Sequence, residues 1–247
     1  MTTAGDFLAA AEALPLAGFE AIDRPGGLLV VVPHPDDESL GCGGLIAEAA
    51  ARGKPVAVVM VSDGVASHNN SRRFPPDARR ALRRGEAEAA LAMLGLPASA
   101  LHPLDLPDAA VPDHGPAFDR AVEAIVAAAR AVDAGTLVTT WGHDPHCDHR
   151  ASFLMAQAAM AHLPGAVLWS VPVWGHTLPP RQELPLGAPR GLRLDMAAQL
   201  GRKNAAIHAH RSQLGLVIDD DPEGFALPEA MLAHFDRPFE ILLQEIP

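Results

Sequence analysis

The sequence contains no tyrosine, so no phenol can serve as proton donor or oxyanion partner in whatever chemistry it performs. Cysteine is scarce: Cys42 and Cys147 are too few for a disulfide framework. No run of about eighteen apolar residues occurs, which excludes a membrane-spanning helix. The N-terminus lacks a basic stretch leading into an apolar core, and Asp6 and Glu12 interrupt it, so the expectation is a cytoplasmic chain without a signal peptide. Positive charge is short as well. Lys and Arg number 19 against 30 Asp and Glu, a formal net charge of −11, which argues against nucleic acid or an anionic membrane surface as the main partner. There is no internal repeat and no linker-like boundary. With 49% hydrophobic and 20% charged residues, the 247 residues suit one α/β domain spanning 1–247 with a substantial core.

Against that background one stretch stands out. Leu28-Leu29-Val30-Val31-Val32 is a continuous apolar run, as in a strand buried on both faces of a parallel sheet. Pro33-His34-Pro35-Asp36-Asp37-Glu38 follows, then Gly41, Gly43, Gly44 and an alanine-rich helical pattern. The polar cluster therefore sits on the turn after a strand, where open α/β sheets bind ligands. Three adjacent acids repel one another unless they are solvated or share a cation. An imidazole nitrogen with a carboxylate oxygen is a start for a zinc site, and a neighbouring free carboxylate can act as general base on water. The plain alternative is a solvated loop with an N-capping Asp.

A second cluster favours the metal. Thr136-Leu137-Val138-Thr139-Thr140-Trp141 is another buried strand, followed by His143, Asp144, His146, Asp148 and His149 within seven residues. Two strand ends with complementary ligands imply one site between them. Both cysteines fall inside these stretches; His and Asp ligands suffice without them, so they are expected to fill space.

Pro33-His34-Pro35-Asp36-Asp37-Glu38 resembles the (A/P)HPDDE signature of the PIG-L/LmbE-like zinc-dependent N-deacetylases, and His146-Cys147-Asp148-His149 resembles that family's HxDH signature, with Cys147 where proline is common. The resemblance runs from about Leu28 to about Gln213. It implies a metal held by His34, Asp37 and His149, Asp36 as general base, His146 as acid or oxyanion-stabilising group, and Asp148 orienting a histidine. Arg83-Arg84-Gly85-Glu86, Leu106-Pro107-Asp108 and His210-Arg211-Ser212-Gln213 also resemble family segments. They make Arg83 and Asp108 candidates for substrate contact and suggest that His210 and Gln213 brace the site from behind. The implied substrate is an N-acetylated amino sugar, free or on a glycoconjugate.

The remaining elements give an α/β chain, a Rossmann-like three-layer fold with a mostly parallel central sheet. A short helical pattern occupies the first 23 residues. Strands are predicted at 56–61, 166–171 and, at the sheet edge, 239–243, and residues 102–108 read as a short strand or edge followed by a turn. Helices are predicted at 77–94, capped by Asp77, at 117–132, at 149–161 and at 195–210. The loop at 65–76 covers the active-site face. Arg79, Arg80, Arg83 and Arg84 read mainly as a solvated helix face, with one of them reaching substrate or bracing the Asp36 loop. Prolines break residues 172–194 into a pocket wall, where Trp174 can stack on a sugar ring or simply pack. The acidic run 219–223 reads as solvated.

The expected chemistry is amide hydrolysis: zinc, or another divalent ion such as Fe2+ or Co2+, activates water, Asp36 takes its proton, and the metal with protonated His146 steadies the oxyanion. Two rivals stand beside it, a metallohydrolase for a different linear amide or ester and a non-catalytic metal-dependent sugar binder. The second would have no use for Asp36 beside Asp37. A nicotinamide-binding protein is excluded by Pro-His-Pro-Asp-Asp where a GxGxxG turn belongs. A homo-oligomer is compatible with the sequence.

Overall fold

Every residue of Gly27–Val32 and Val56–Ser62 is buried, as apolar runs rich in β-branched side chains require of strands covered on both faces. The computed structural model describes residues 1–244. Strand β1 (Thr2–Thr3) runs into helix α1 (Ala4–Glu12), and β2 (Leu16–Ala17) follows. Then come β3 (Gly27–Val32), α2 (Asp37–Ala51), β4 (Val56–Ser62), α3 (Pro76–Met93), β5 (Leu101–Leu106), α4 (Gly115–Ala131), β6 (Ala134–Thr140), α5 (Cys147–Met160) and β7 (Val167–Val171). The C-terminal part adds β8 (Glu183–Leu184), β9 (Gly191–Asp195), α6 (Leu200–Ala209), α7 (Glu229–Phe235) and β10 (Phe239–Leu243).

Among the described residues, eight strands form one sheet in the order β2-β9-β10-β7-β6-β3-β4-β5. β7, β6, β3, β4 and β5 are parallel neighbours, while β10 runs antiparallel to both β7 and β9. Alternate residues of β3 face opposite layers. Leu28, Val30 and Val32 pack with Leu45, Ile46 and Leu91 of α2 and α3. Leu29 and Val31 pack with Ile125 and Met155 of α4 and α5. This is the three-layer α/β arrangement expected. Because β3 and β6 are hydrogen-bonded side by side, the two polar loops at their carboxyl ends emerge next to each other.

Three predicted elements differ. Phe239–Leu243 is not an edge strand: β10 lies between β7 and β9, and its Glu240, Ile241, Leu242 and Leu243 are buried. The helix predicted from residue 195 starts at Leu200, because Gly191–Asp195 alternates buried Leu192 and Leu194 with outward residues, the period of a half-covered strand. α3 begins at Pro76 with Pro75 at the cap; Asp77 sits in its first turn and caps nothing. Among the described residues no helix is long and apolar enough to cross a membrane.

Helix α2 is two helical pieces joined at Cys42, whose φ of −144° and ψ of 24° leave helical geometry. The break frees backbone N–H groups, and Glu240 on β10 takes two of them, Gly44 at 2.7 Å and Leu45 at 2.9 Å. The same carboxylate accepts from Lys203 Nζ at 2.9 Å, and both side chains are buried. Removing one partner leaves an uncompensated charge in the core. Lys203→Met is therefore expected to destabilise the fold by about 3–5 kcal/mol. Chemical denaturation checks this, and an unchanged midpoint would refute the pairing as a structural element.

Candidate metal centre and active site

The β3 loop delivers His34, Asp36, Asp37 and Glu38, all buried. The Asp37 carboxylate folds back on its own loop, and Oδ2 accepts from His34 N at 3.1 Å and lies 3.1 Å from His34 Nδ1. From the first turn of α5, His149 brings Nε2 to 3.3 Å from the same oxygen. His146 joins them: donor atoms of His34, His146 and His149 all lie within 4.8 Å of one another. The two sequence clusters thus meet.

The ring nitrogens turned away from this meeting point are also engaged. His149 Nδ1 lies 2.9 Å from Asp144 Oδ2, which further accepts the N–H groups of Val173 at 3.1 Å and Trp174 at 3.2 Å. His34 Nε2 stands 3.1 Å from Asp148 Oδ2 and 3.2 Å from Asp108 Oδ1. Asp148 is fixed by the N–H groups of Ala109 and Val111, at 2.7 and 3.1 Å. Asp144 lies in the sequence cluster without an assigned role there. Its signal is its place five residues before His149, in the loop that leads into α5.

Electrostatics in this centre are one-sided. Burial alone would lower the His34 and His149 pKa values, yet the surrounding carboxylates raise His34 well above the ordinary range and His149 to about 9. Burial disfavours the Asp37 anion, but His149 and His34 hold it well below the usual carboxylate range. Asp37 Oδ1 and His149 Nε2 are buried and make no hydrogen bond, a costly state unless a ligand satisfies them. Two donors around a tetrahedral zinc ion sit about 3.3 Å apart, from bonds of about 2.0 Å. The spacings of 3.1 and 3.3 Å about Asp37 Oδ2 match that value. The donor set therefore fits a divalent metal.

Asp36 is held differently. Its φ of 139° and ψ of −31° are strained for a residue with a side chain, a cost of about 1–3 kcal/mol. Two buried groups enforce it. Glu38 Oε2 accepts Asp36 N–H at 3.0 Å, and His210 Nε2 backs Glu38 Oε1 at 2.8 Å. Arg83 donates to Pro35 O at 2.5 Å and Gly64 O at 2.8 Å, and lies 3.4 Å from Asp36 Oδ2. Arg79 and Arg83 are buried, which corrects the solvated-face expectation for these two. Arg83 braces the Asp36 loop; Arg80 makes the expected i,i+3 pair with Asp77 but also reaches buried Asp63 at 2.9 Å, and half-buried Arg84 pairs with Asp105 of β5 instead of along its own helix.

His146 caps α5, its Nδ1 accepting Asp148 N–H at 3.2 Å. A backbone N–H is always the donor, so Nδ1 is unprotonated and the ring proton belongs on Nε2. Burial lowers the His146 pKa in the same sense. Cys42 is buried in the core and Cys147 exposed on the first turn of α5. A cavity of about 430 Å³ opens over the centre, lined by His34, Asp36, Arg83, Asp108, His146 and Trp174 among others. The acidic run is not merely solvated. Asp221 is buried and takes Asn70 N–H at 2.9 Å, and Asp220 takes Arg72 and Arg73 N–H, each at 2.9 Å, pinning the cavity loop.

The chain matches the PIG-L family, described as GlcNAc-PI de-N-acetylase, over residues 29–160. It is 30% identical over 247 residues to a 1D-myo-inositol 2-acetamido-2-deoxy-alpha-D-glucopyranoside deacetylase of Mycolicibacterium smegmatis, spanning 81% of this chain and 83% of that protein. The N,N'-diacetylchitobiose deacetylase of Pyrococcus horikoshii shares the fold with a TM-score of 0.61 at 21% identity, over 88% of this chain and 77% of that one. The 4-carboxy-2-hydroxymuconate hydratase GalB of Pseudomonas putida does so with 0.60 at 22%, over 77% and 81%, so the fold by itself does not fix the reaction. With the family match covering more than half of the sequence and both motifs meeting in one buried centre, the chain belongs to the PIG-L, GlcNAc-PI de-N-acetylase, family.

Proposed function

We propose that this protein is a zinc-dependent N-deacetylase that hydrolyses the acetamide of an N-acetylated amino sugar, free or in a glycoconjugate. The observation that carries this is Asp37 Oδ2, set 3.1 Å from His34 Nδ1 and 3.3 Å from His149 Nε2, with Asp36 and His146 on the cavity wall beside it. His34, Asp37 and His149 would hold the ion, and Asp144 and Asp148 orient the two rings from behind. The bound ion supplies Lewis acidity toward the amide carbonyl and makes water acidic near neutral pH.

The remaining steps belong to the chain. Asp36 accepts the proton of the attacking water and passes it to the leaving amine. His146 presents its Nε2–H to the developing oxyanion as a neutral donor, rather than as the protonated ring expected from sequence, a contribution of roughly 3–4 kcal/mol. Arg83 is occupied with two carbonyls and Asp36, so its part is to position the base and not to grip substrate. His and carboxylate donors suit iron and cobalt as well as zinc.

The test pairs metal content of the purified protein with acetate release from an N-acetylglucosamine glycoside. About one zinc per chain and chelator-sensitive acetate release support the assignment. Bound metal without cleavage of any N-acetyl sugar would move the activity to another amide or ester, and failure to bind metal at neutral pH would overturn the centre itself.

A further inference from the structure

One wall of the cavity has no part in the chemistry above. Trp174 and Phe225 meet there edge to face with ring centroids 5.6 Å apart, and Ala66, Ala109 and Pro145 extend the apolar surface. Both aromatics are half-buried and held by their backbones. Trp174 N–H donates to Asp144 Oδ2 at 3.2 Å, and Phe225 N–H to Ser67 O at 2.7 Å. The segment before Phe225 is fastened by Asp220 and Asp221 to residues 70–73. Beside it Gly224 lies so close to His68 that a Cβ there would come within 2.2 Å of the ring. The wall is thus fixed before any ligand arrives.

The charge around the cavity is negative. Asp36 and Asp108 line it, and Asp37 and Asp148 lie against His34. Among the described residues, Arg83 is the sole lysine or arginine in the lining, and its two terminal nitrogens are engaged by Pro35 O, Gly64 O and Asp36, leaving only the buried Nε without a partner. Four carboxylates outweigh one guanidinium even with a doubly charged ion in place. Apart from the ion itself, a phosphate entering this space meets only a guanidinium already paired, whereas an apolar group meets two aromatic side chains.

We infer that the substrate carries an uncharged apolar group beside its N-acetylated amino sugar, seated on the Trp174–Phe225 wall, and no phosphate at that position. This deepens the deacetylase assignment and rests on it. The apolar group has two chemical sources, an aglycone on the anomeric carbon or an N-acyl chain longer than acetyl. The zinc-loaded protein is assayed with four compounds: N-acetylglucosamine, its phenyl β-glycoside, N-phenylacetylglucosamine and N-acetylglucosamine 1-phosphate. One of the two phenyl compounds is expected to exceed the parent sugar in kcat/KM by about tenfold, the scale of covering part of one ring, and which one does so names the source. The 1-phosphate should be the poorest substrate. Phe225→Ala and Trp174→Ala should each draw the phenyl-to-parent ratio toward one. Equal kcat/KM for the parent and both phenyl compounds, or faster turnover of the 1-phosphate, overturns the inference while leaving the deacetylase assignment intact. Cleavage of none of the four overturns both. The substrate comparison needs no variant, so a poorly folding substitution does not shield the proposal.

Discussion

Asp36→Asn is expected to lower kcat for acetate release by about 10³-fold, within the range of about 10²–10⁴ that a positioned general base contributes, while zinc content stays the same. The substitution keeps the shape of the side chain and removes its ability to take a proton. Asparagine matches aspartate in shape, so it meets the same strained backbone at φ 139° without an added clash. Arg83 still has Pro35 O and Gly64 O to hold. Burial pushes the Asp36 carboxyl up to about 7, against the pull of the Arg83 guanidinium, which places its titration near the pH where a general base is most effective. The sign follows from the role. A base works deprotonated, so turnover falls as pH drops through the Asp36 pKa, and a divalent ion next door shifts that limb to lower pH. In Asp36→Asn the limb attributable to this group disappears. An unchanged kcat in a metal-replete variant would remove Asp36 from the reaction.

The second large effect concerns the metal. Asp144→Asn is expected to weaken zinc binding by about 10–100-fold, as loss of a carboxylate behind a ligating imidazole does, and His149→Ala to weaken it further. Asp144 lies 2.9 Å from His149 Nδ1 and fixes which nitrogen faces the centre. Its oxygen also carries the Val173 and Trp174 N–H groups, and an asparagine carbonyl can still accept those, so the wall survives while the charge is lost. His149→Ala removes the ring whose Nε2 faces Asp37 Oδ2 at 3.3 Å. Competition with a chromogenic chelator measures both. Wild-type affinity in His149→Ala would eliminate that residue as a ligand.

The parts of this protein readable from sequence are those whose signal is local. β3 and β4 announce themselves as unbroken apolar runs, and the two polar clusters follow strands in both cases where the chain needs an N-cap and a ligand loop. The place of β10 is not a local property: five residues say that a strand exists, not which strands flank it. Pro185 and Pro189 also obscured the alternation of Leu192 and Leu194. In the site, Arg83 looks like its neighbours on a charged helix, and only the fold shows that its face of α3 turns toward Pro35 and Gly64. Asp220 and Asp221 read as solvated because their partners, backbone N–H groups together with Ser71 Oγ and Asn70 Nδ2, lie about 150 positions away, which no local pattern encodes.

Asp144 gives the molecule a property that neither the ion nor the wall has alone. One carboxylate oxygen serves the ring of His149 and the backbone that carries Trp174. Whatever free energy ion binding contributes to ordering that backbone, a ligand resting on the indole returns to the ion in equal measure, since coupling between two sites is reciprocal. To the extent that the ion orders that backbone, metal affinity and substrate affinity are linked quantities. A substitution that retunes the wall would then shift the free-metal concentration at which the centre is half loaded, and each affinity is defined only at a stated concentration of the other ligand.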